Sequence, residues 1–263
     1  MISSLKVHYF QHIAEEGLGS CESYLKQLGA HITTTEFFAL PPEQKLEIEA
    51  LPNVEDVDLL IIMGGRMSVN DEALYPWLIT EKRWIRRFIA LGKPVIGLCL
   101  GGQMIANALG ASVTQNLNQE IGWTEIFAIP HYPEDCFIVP EKVEVMEWHR
   151  ETFSLPRGAK LLASSHVCEN QIFQIGDNIL GFQFHPEITP AALRVFLEND
   201  EDLEKSIEHQ HIKSQIQHTF HPTEYIKFRA GNELLNRAID YVLQRTQILH
   251  YNIQSNYFRL ANS

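Results

Sequence analysis

The chain has 263 residues, of which 45% are hydrophobic and 21% are charged, and its formal net charge is -12 at pH 7. This length and composition suit one large domain, or a domain with an appendage. The acidic balance offers no basic patch for phosphates and argues against nucleic acid as a partner. Its apolar stretches have the length of strands, and no signal-peptide pattern is present, so we expect no membrane span and a cytoplasmic protein.

The first hundred residues alternate between buried-type strands and amphipathic helices. Strands are predicted at residues 6–11, 31–37, 57–63 and 94–98, and helices at 20–28 and 77–91. Ser20 is the expected N-cap of the first helix and Gly29 its end. Such alternation is typical of a doubly wound, mostly parallel sheet flanked by helices.

A third helix is predicted to begin after Cys99 and to end at Gly110. The pattern then changes to short strands at residues 123–129, 143–148, 171–175 and 179–184. These strands predict an antiparallel excursion that returns the chain to the sheet just before His185. The predicted fold class is therefore α/β, with an antiparallel excursion and a C-terminal helical extension.

The sequence becomes more polar after Asn199, and helices are predicted at residues 200–218 and 222–244. We divide the chain into a domain at residues 1–199 and a helical extension at residues 200–263. Apolar positions in the last helix predict that it packs on the core or on a partner: Ile226, Leu234, Leu235, Ile239, Val242 and Leu243. The histidines of this extension lack carboxylate or cysteine partners at ligand spacing, and no metal site is predicted.

The segment at residues 97–103, Gly-Leu-Cys-Leu-Gly-Gly-Gln, carries the strongest chemical signal. An apolar strand delivers Cys99 onto a turn that opens a helix, which is a nucleophile elbow with sulfur in place of oxygen. The N–H groups and the dipole of the helix N-terminus stabilise a thiolate there. Free cysteine is usually a packing residue, but Gly97 and Gly101 remove side chains on both sides, as an approaching substrate requires. Cys99 is the candidate nucleophile.

The segment at residues 181–187, Gly-Phe-Gln-Phe-His-Pro-Glu, supplies the expected partner. An apolar strand ends in His185, and Glu187 points to the same side of an extended chain. Glu187 can bond one ring nitrogen of His185 and orient the other towards Cys99. A lone histidine at a strand end is more often structural, and it is the whole motif that favours catalysis.

A third apolar strand runs into Gly64 and Gly65. A turn of this kind can present a backbone N–H to a ligand, although two glycines after a strand are weak evidence by themselves. Together with the N–H of Leu100, the N–H of Gly65 would form a two-donor oxyanion hole.

These segments resemble the class I glutamine amidotransferases, in which the elbow reads G-x-C-x-G-x-Q and a later motif reads H-P-E. Residues 97–103 and 185–187 match both motifs at every diagnostic position. The resemblance covers roughly the first three quarters of the chain, the size of one domain, and leans towards the amidotransferase domain of GMP synthase. One departure is Arg66, where many relatives have proline.

The resemblance implies that Cys99, His185 and Glu187 hydrolyse the γ-carboxamide of glutamine through a γ-glutamyl thioester, without a cofactor. It also implies that Gln103 contacts the substrate. The chain around His149 and Arg150 would line the amino-acid end of the pocket, although a structural role suits His149 equally.

Three functions remain open at this stage. No S-G-G-x-D-S phosphate loop is present, so the chain would be either a separate glutaminase subunit that supplies ammonia to a synthetase, or an enzyme acting alone. Related stand-alone enzymes cleave γ-glutamyl peptides with the same triad, and a wider pocket would distinguish them. The third is a binding or regulatory protein that has lost catalysis, but the presence of all three triad residues argues against it.

Overall fold

The computed structural model describes residues 4–130, 135–199 and 207–246. Within these ranges the strands are β1 Lys6–Gln11, β2 His31–Glu36, β3 Leu59–Ile62, β4 Val95–Leu98, β5 Val113–Ala128, β6 Lys142–Phe153, β7 Lys160–Ser164, β8 Ile172–Ile175 and β9 Ile179–Phe182. The helices are α1 Cys21–Gln27, α2 Trp77–Ala90, α3 Leu100–Ala108, α4 Pro190–Asn199, α5 Ile207–His218 and α6 Ile226–Arg245.

The strands form one sheet in the order β2-β1-β3-β4-β9-β8-β7-β5-β6. The five strands from β2 to β9 run parallel. The other four continue the same sheet with antiparallel pairing, which confirms the predicted α/β fold and its antiparallel excursion. Strands β4 and β9 are neighbours, and Leu98 pairs with Phe182. The carboxyl ends of these two strands therefore lie side by side, although they are far apart in sequence.

Helices cover both faces of the sheet. Leu59 and Ile61 of β3 pack in the cluster that contains α1 and α6, whereas Leu60 and Ile62 pack with α2 and α3. Successive strand side chains point to opposite faces, so a strand covered on both sides is apolar throughout. This explains why β3, β4 and β9 were visible in the sequence as continuous apolar runs.

The differences from the predicted elements concern the second half of the chain. Strands β5 and β6 are longer than predicted because they form one long hairpin, from the Val113–Phe153 pair to the Phe127–Lys142 pair. Much of β5 is exposed polar sequence without apolar alternation. Strand β7 and helix α4 were not predicted, although α4 buries Leu193, Phe196 and Leu197 at helical spacing. In α1, Ser20 is at the N-cap, but its side chain makes no capping hydrogen bond.

Helix α6 packs on the core of this chain. Its buried side chains share one cluster with residues of β1, β3, β4 and β9: Leu234, Leu235, Ala238, Ile239, Val242 and Leu243. Ile226, at the start of the helix, is 65% exposed and does not take part. The division of the chain after residue 199 stays a prediction, and residues 200–206 and 247–263 of the predicted extension lie outside the described residues.

No helix within the described ranges combines the length and the apolar composition that crossing a membrane requires.

Candidate active site

Cys99 occupies a strained turn between β4 and α3. In the described part of the chain it is the one non-glycine residue with a positive φ, at 51° with ψ of -110°. Its N–H donates to Phe182 O of β9 at 2.9 Å. Backbone strain of this kind costs about 1–3 kcal/mol and is concentrated at functional sites. The geometry agrees with the predicted elbow.

The glycines around the elbow have a different role from the expected one. A Cβ atom added to Gly97 would lie 2.4 Å from the carbonyl oxygen of Gly101, and one added to Gly101 would lie 2.0 Å from that of Ile62. Both positions are filled by backbone rather than left open to the pocket. The glycines allow the first turn of α3 to pack directly against the sheet, which places its N-terminal N–H groups beside Cys99.

The structure brings Cys99, His185 and Glu187 together. His185 Nδ1 lies 2.9 Å from Glu187 Oε1, and the imidazole is close enough to Cys99 to interact electrostatically with it. The Cys99 thiol also lies 3.9 Å from Trp148 O. His185 is 2% exposed and Glu187 is 3% exposed. Burial by itself would lower the pKa of His185, but the negative charges of Glu187 and of a Cys99 thiolate, with the hydrogen bond to Glu187, raise that pKa well above its ordinary value. The arrangement favours an imidazolium beside the sulfur.

Backbone contacts from two other elements hold the segment that follows β9. The N–H of His185 donates to Met146 O of β6 at 2.9 Å, and the N–H of Ser20 donates to Glu187 O at 2.9 Å. The histidine and the glutamate are therefore positioned from opposite sides of the sheet end.

Helix α6 contributes a contact that sequence reasoning missed. Asn232 Nδ2 donates to Pro186 O at 2.8 Å and to Ile188 O at 3.0 Å. These two carbonyls flank Glu187, so the Asn232 side chain bridges the backbone on both sides of this residue. A polar residue within the apolar face of α6 was the available signal.

A second buried histidine–carboxylate pair supports the turn after β3. His12 Nδ1 lies 3.0 Å from Gly64 O, and its Nε2 lies 2.9 Å from Glu81 Oε1. Burial would lower the pKa of His12, but the charge of Glu81 and its hydrogen bond raise the pKa overall. His12 therefore donates to the Gly64 carbonyl. In a trans peptide the carbonyl and the following N–H point in opposite directions, so the contact also fixes the N–H of Gly65.

Sequence reasoning missed this pair as well. Glu81 lies in α2 with 0% exposure, and an isolated carboxylate is almost never fully buried without a partner. A charge on the buried face of a predicted helix was the signal that could have found it. Arg66 borders the pocket and pairs with Glu15 at 3.8 Å.

Cys99 opens into a pocket of about 560 Å³. Pockets that bind small molecules commonly enclose about 300–1,000 Å³. Five predicted site residues contribute to its wall: Gly65, Cys99, Gln103, His149 and Arg150. His185 and Glu187 lie beneath this wall, and Leu100 is the first residue of α3.

Gln103 and His149 are bound to neighbouring chain segments within the wall. Gln103 Nε2 donates to Glu151 O at 3.0 Å, and His149 Nδ1 lies 2.9 Å from the same oxygen. His149 Nε2 lies 3.0 Å from Glu120 Oε2 and 3.2 Å from Glu147 Oε2. Both ring nitrogens of His149 are therefore engaged within the protein, which agrees with the structural role left open for it. A substrate contact at this position falls to the backbone.

The carboxylates raise the pKa of His149 well above its ordinary value, against the effect of burial. Ligand atoms of Glu120, His149 and Cys168 lie within 4.8 Å of one another. Both oxygens of Glu120 also accept hydrogen bonds, from Ser165 at 2.7 Å and from Gln171 at 2.8 Å. These hydrogen bonds explain why the three groups lie together, since the network stabilises the pocket wall. We assign no metal role to the cluster.

The family comparison agrees with this geometry. The model of the family described as "Glutamine amidotransferase class-I" matches residues 19–203. The chain belongs to the class I glutamine amidotransferase family. It is 30% identical to the glutamine amidotransferase-like protein YfeJ of Salmonella typhimurium, over 75% of this chain and 82% of that protein. It is 32% identical to a glutamine-hydrolyzing GMP synthase subunit of Saccharolobus solfataricus, over 65% of this chain and 85% of that protein.

Solved structures show the same fold. A glutamine amidotransferase from Methylobacillus flagellatus superposes with a TM-score of 0.79 at 28% identity, over 92% of this chain and 95% of that one. One from Thermotoga maritima gives a TM-score of 0.75 at 28% identity, over 92% and 99% of the two chains. Members of this family are generally cysteine-dependent glutamine amidotransferases.

Proposed function

We propose that the protein hydrolyses the γ-carboxamide of glutamine to glutamate and ammonia through a γ-glutamyl thioester on Cys99. The observation that carries this proposal is the hydrogen-bonded pair of His185 and Glu187 beside Cys99, with the cysteine opening into a pocket large enough for an amino acid. A nucleophile, a base and a group that orients the base are the parts that covalent acyl transfer requires.

In the first step, the Cys99 thiolate attacks the carboxamide carbon, and the carbonyl oxygen becomes an oxyanion. The N–H of Leu100 belongs to the first turn of α3, where N–H groups have no partner within the helix. The N–H of Gly65 is directed by the contact between His12 and Gly64. These two donors would stabilise the oxyanion.

In the second step, protonated His185 gives its proton to the departing nitrogen, and the C–N bond breaks to release ammonia. Neutral His185 then takes a proton from water, whose oxygen attacks the thioester carbon. The C–S bond breaks, glutamate leaves, and the Cys99 thiolate and the imidazolium are restored. Glu187 holds Nδ1 of the ring throughout both steps.

The substrate contacts expected at Gln103, His149 and Arg150 form part of this proposal. Gln103 and His149 both bond to the carbonyl of Glu151 and so hold the strand at the pocket wall. The backbone around Arg150 would then meet the amino-acid end of glutamine. A reducing, cytoplasmic location suits the catalytic thiol.

Glutamate release by wild type and Cys99→Ala tests the proposal with glutamine and a γ-glutamyl dipeptide as parallel substrates. We expect Cys99-dependent release from glutamine. Release by the alanine variant at the wild-type rate would overturn the proposal, as would inactivity of wild type towards both substrates. The similarity to the GMP synthase subunit of Saccharolobus solfataricus supports a separate synthetase as the acceptor of ammonia.

The pocket volume supports a second candidate, a γ-glutamyl peptide hydrolase. A pocket of about 560 Å³ has room beyond the scissile nitrogen for more than an amino group. Release of glutamate mainly from the dipeptide would favour this enzyme. The intact triad argues against the alternative of a binding or regulatory protein without catalysis.

We expect His12→Ala to lower kcat by about tenfold or more with little change in KM, because loss of one oxyanion donor costs about a hundredfold and here the donor is only misoriented. Glutamate release at several glutamine concentrations measures both constants. His8→Ala is the matched control, since it removes another buried histidine, whose ring nitrogens hydrogen-bond to Thr33 and Thr35 away from Gly64. Equal loss of kcat in the two variants would contradict the role of His12.

We expect Asn232→Leu to lower both stability and kcat, because its two hydrogen bonds hold the segment of the triad. A loss of about 1–3 kcal/mol in the free energy of unfolding is typical when buried acceptors lose their donor. Urea unfolding and glutamate release measure the two effects. Asn236→Leu, one turn along the same helix, is expected to retain kcat, because the amide oxygen of Asn236 has no hydrogen-bond partner among the described residues. An unchanged kcat in Asn232→Leu would show that α6 does not position the triad.

A further inference from the structure

Glu16 is a carboxyl group in the pocket that the mechanism above does not use. It lies in the segment between β1 and α1 and contributes to the pocket wall together with Cys99. Its exposure is 7%, and its Oε2 is buried without a hydrogen-bond partner among the residues that the structure describes. A buried, unsatisfied carboxyl oxygen destabilises a protein unless something compensates. A polar group from a ligand would supply the missing donor.

The side chain of Gln11 holds the segment that carries Glu16 in place. Nε2 of Gln11 donates to Ile13 O at 3.0 Å and to Ala14 O at 3.0 Å. The neighbouring Glu15 turns outwards and pairs with Arg66 at 3.8 Å. Of the two adjacent glutamates, Glu15 therefore faces the rim of the pocket, whereas Glu16 faces the protein interior.

Glu16 borders the catalytic histidine. A Cβ atom added to Gly64 would lie 1.8 Å from Glu16 Oε2 and 3.0 Å from His185 Cε1, so both groups approach this glycine. In the mechanism His185 protonates the departing nitrogen, and the side of the pocket next to His185 is therefore the leaving-group side. The amino-acid end of the substrate is expected at the other side, near Arg150.

We infer that Glu16 forms a leaving-group subsite, in which its carboxylate accepts a hydrogen bond from an N–H of the scissile amide. The inference rests on the proposed function, and it names an amide nitrogen as the chemical group that the subsite recognises. Glu16 orients this nitrogen towards His185 and gives up no proton, so the proton balance of the two steps is unchanged. A substrate with oxygen in place of the nitrogen has no donor for the carboxylate.

The protonation state of Glu16 should affect the KM for glutamine. Burial raises the pKa of Glu16 to about 7, with Glu187 adding to the rise and with His185, His12 and Arg66 opposing it. The carboxylate form is the acceptor. The KM for glutamine should therefore fall as the pH rises through about 7, and this step should be absent after substitution of Glu16.

The test compares glutamine with the γ-methyl ester of glutamate, which has the same acyl group and amino-acid end but no leaving-group N–H. In Glu16→Leu we expect kcat/KM for glutamine to fall by about tenfold or more, the loss typical of a hydrogen bond to a charged group. The ester has no N–H to donate to Glu16, so we expect its kcat/KM to change by less than about twofold in the same variant. Glu16→Gln, whose amide oxygen still accepts, should recover part of the loss. Glu15→Gln is the matched control and should behave as wild type.

An equal loss for amide and ester in Glu16→Leu would overturn the inference, because a structural effect or a contact with the α-amino group would act on both. No loss for either would also overturn it. Calorimetric binding of glutamine and of the ester to Cys99→Ala, with and without Glu16→Leu, repeats the comparison without turnover. Weaker binding of glutamine alone would sustain the subsite even if the hydrolysis proposal failed. If wild type hydrolyses glutamine but Glu16→Leu weakens the binding of glutamine and of the ester equally, the hydrolysis proposal stands and the subsite is wrong.

Discussion

Cys99→Ala is expected to lower kcat for glutamine by at least about a thousandfold, because no other group can form the thioester and loss of a nucleophile in a covalent mechanism has effects of this size. Glutamate release under saturating glutamine measures the loss. Cys136→Ala removes another buried cysteine, which lies outside the pocket wall, and it should retain full activity.

The strained turn gives the same position a second readout. Cys99 has a φ of 51°, which glycine adopts at little cost and alanine does not. Cys99→Gly should therefore be more stable to urea than Cys99→Ala, by about 1 kcal/mol, while both lack activity.

Labelling by a diazo-ketone analogue of glutamine should occur at Cys99 in wild type. Labelling elsewhere in the chain would contradict the elbow assignment.

His185→Gln is expected to cause a loss comparable to that of Cys99→Ala, because one imidazole both stabilises the thiolate and moves the protons in each step. Two measurements separate these roles, namely glutamate release and the rate at which methyl methanethiosulfonate modifies Cys99 at neutral pH. Both rates should fall, since the interaction between the imidazole and the sulfur is lost. Unchanged modification with lost turnover would show that His185 moves protons but does not activate the thiol.

Glu187→Gln serves as the graded control for this prediction. The glutamine side chain can still hold Nδ1 of His185, but the charge that raises the pKa of the histidine is removed. We expect a smaller loss than in His185→Gln. An equal loss would mean that the charge of Glu187, rather than its position, supports the mechanism.

Predictions for the parallel half of the sheet agree closely with the structure because each signal there is local. An apolar run such as Leu59–Ile62 follows from helices on both faces of one strand. The long hairpin of β5 and β6 was predicted only in part, since pairing across the hairpin stabilises an exposed polar segment that has no alternation of its own.

The residues of the site also fall into two groups, those that a local motif reveals and those that only the fold reveals. The motifs around Cys99 and His185 predicted two members of the proposed triad, and Glu187 followed from a spacing of two residues. His12, Glu16 and Asn232 carried no motif, because their roles depend on what folding brings beside them. The flanking glycines were correctly noticed, but their function was misread, since Gly97 accommodates the first turn of α3 and Gly101 accommodates the backbone of Ile62 in a distant strand.

By itself, the sequence determined the strand–cysteine–helix turn and the α/β class, and it predicted a nucleophile, a base and an orienting carboxylate, because all of these signals lie in contiguous residues. Only the tertiary structure decided that β4 and β9 are neighbours, which brings Cys99 to His185. It alone also decided that α6 supports the triad and that Glu16 is buried beside His185. The physical reason is that hydrogen bonding, desolvation and burial depend on distances across the fold, which local patterns in a chain do not specify.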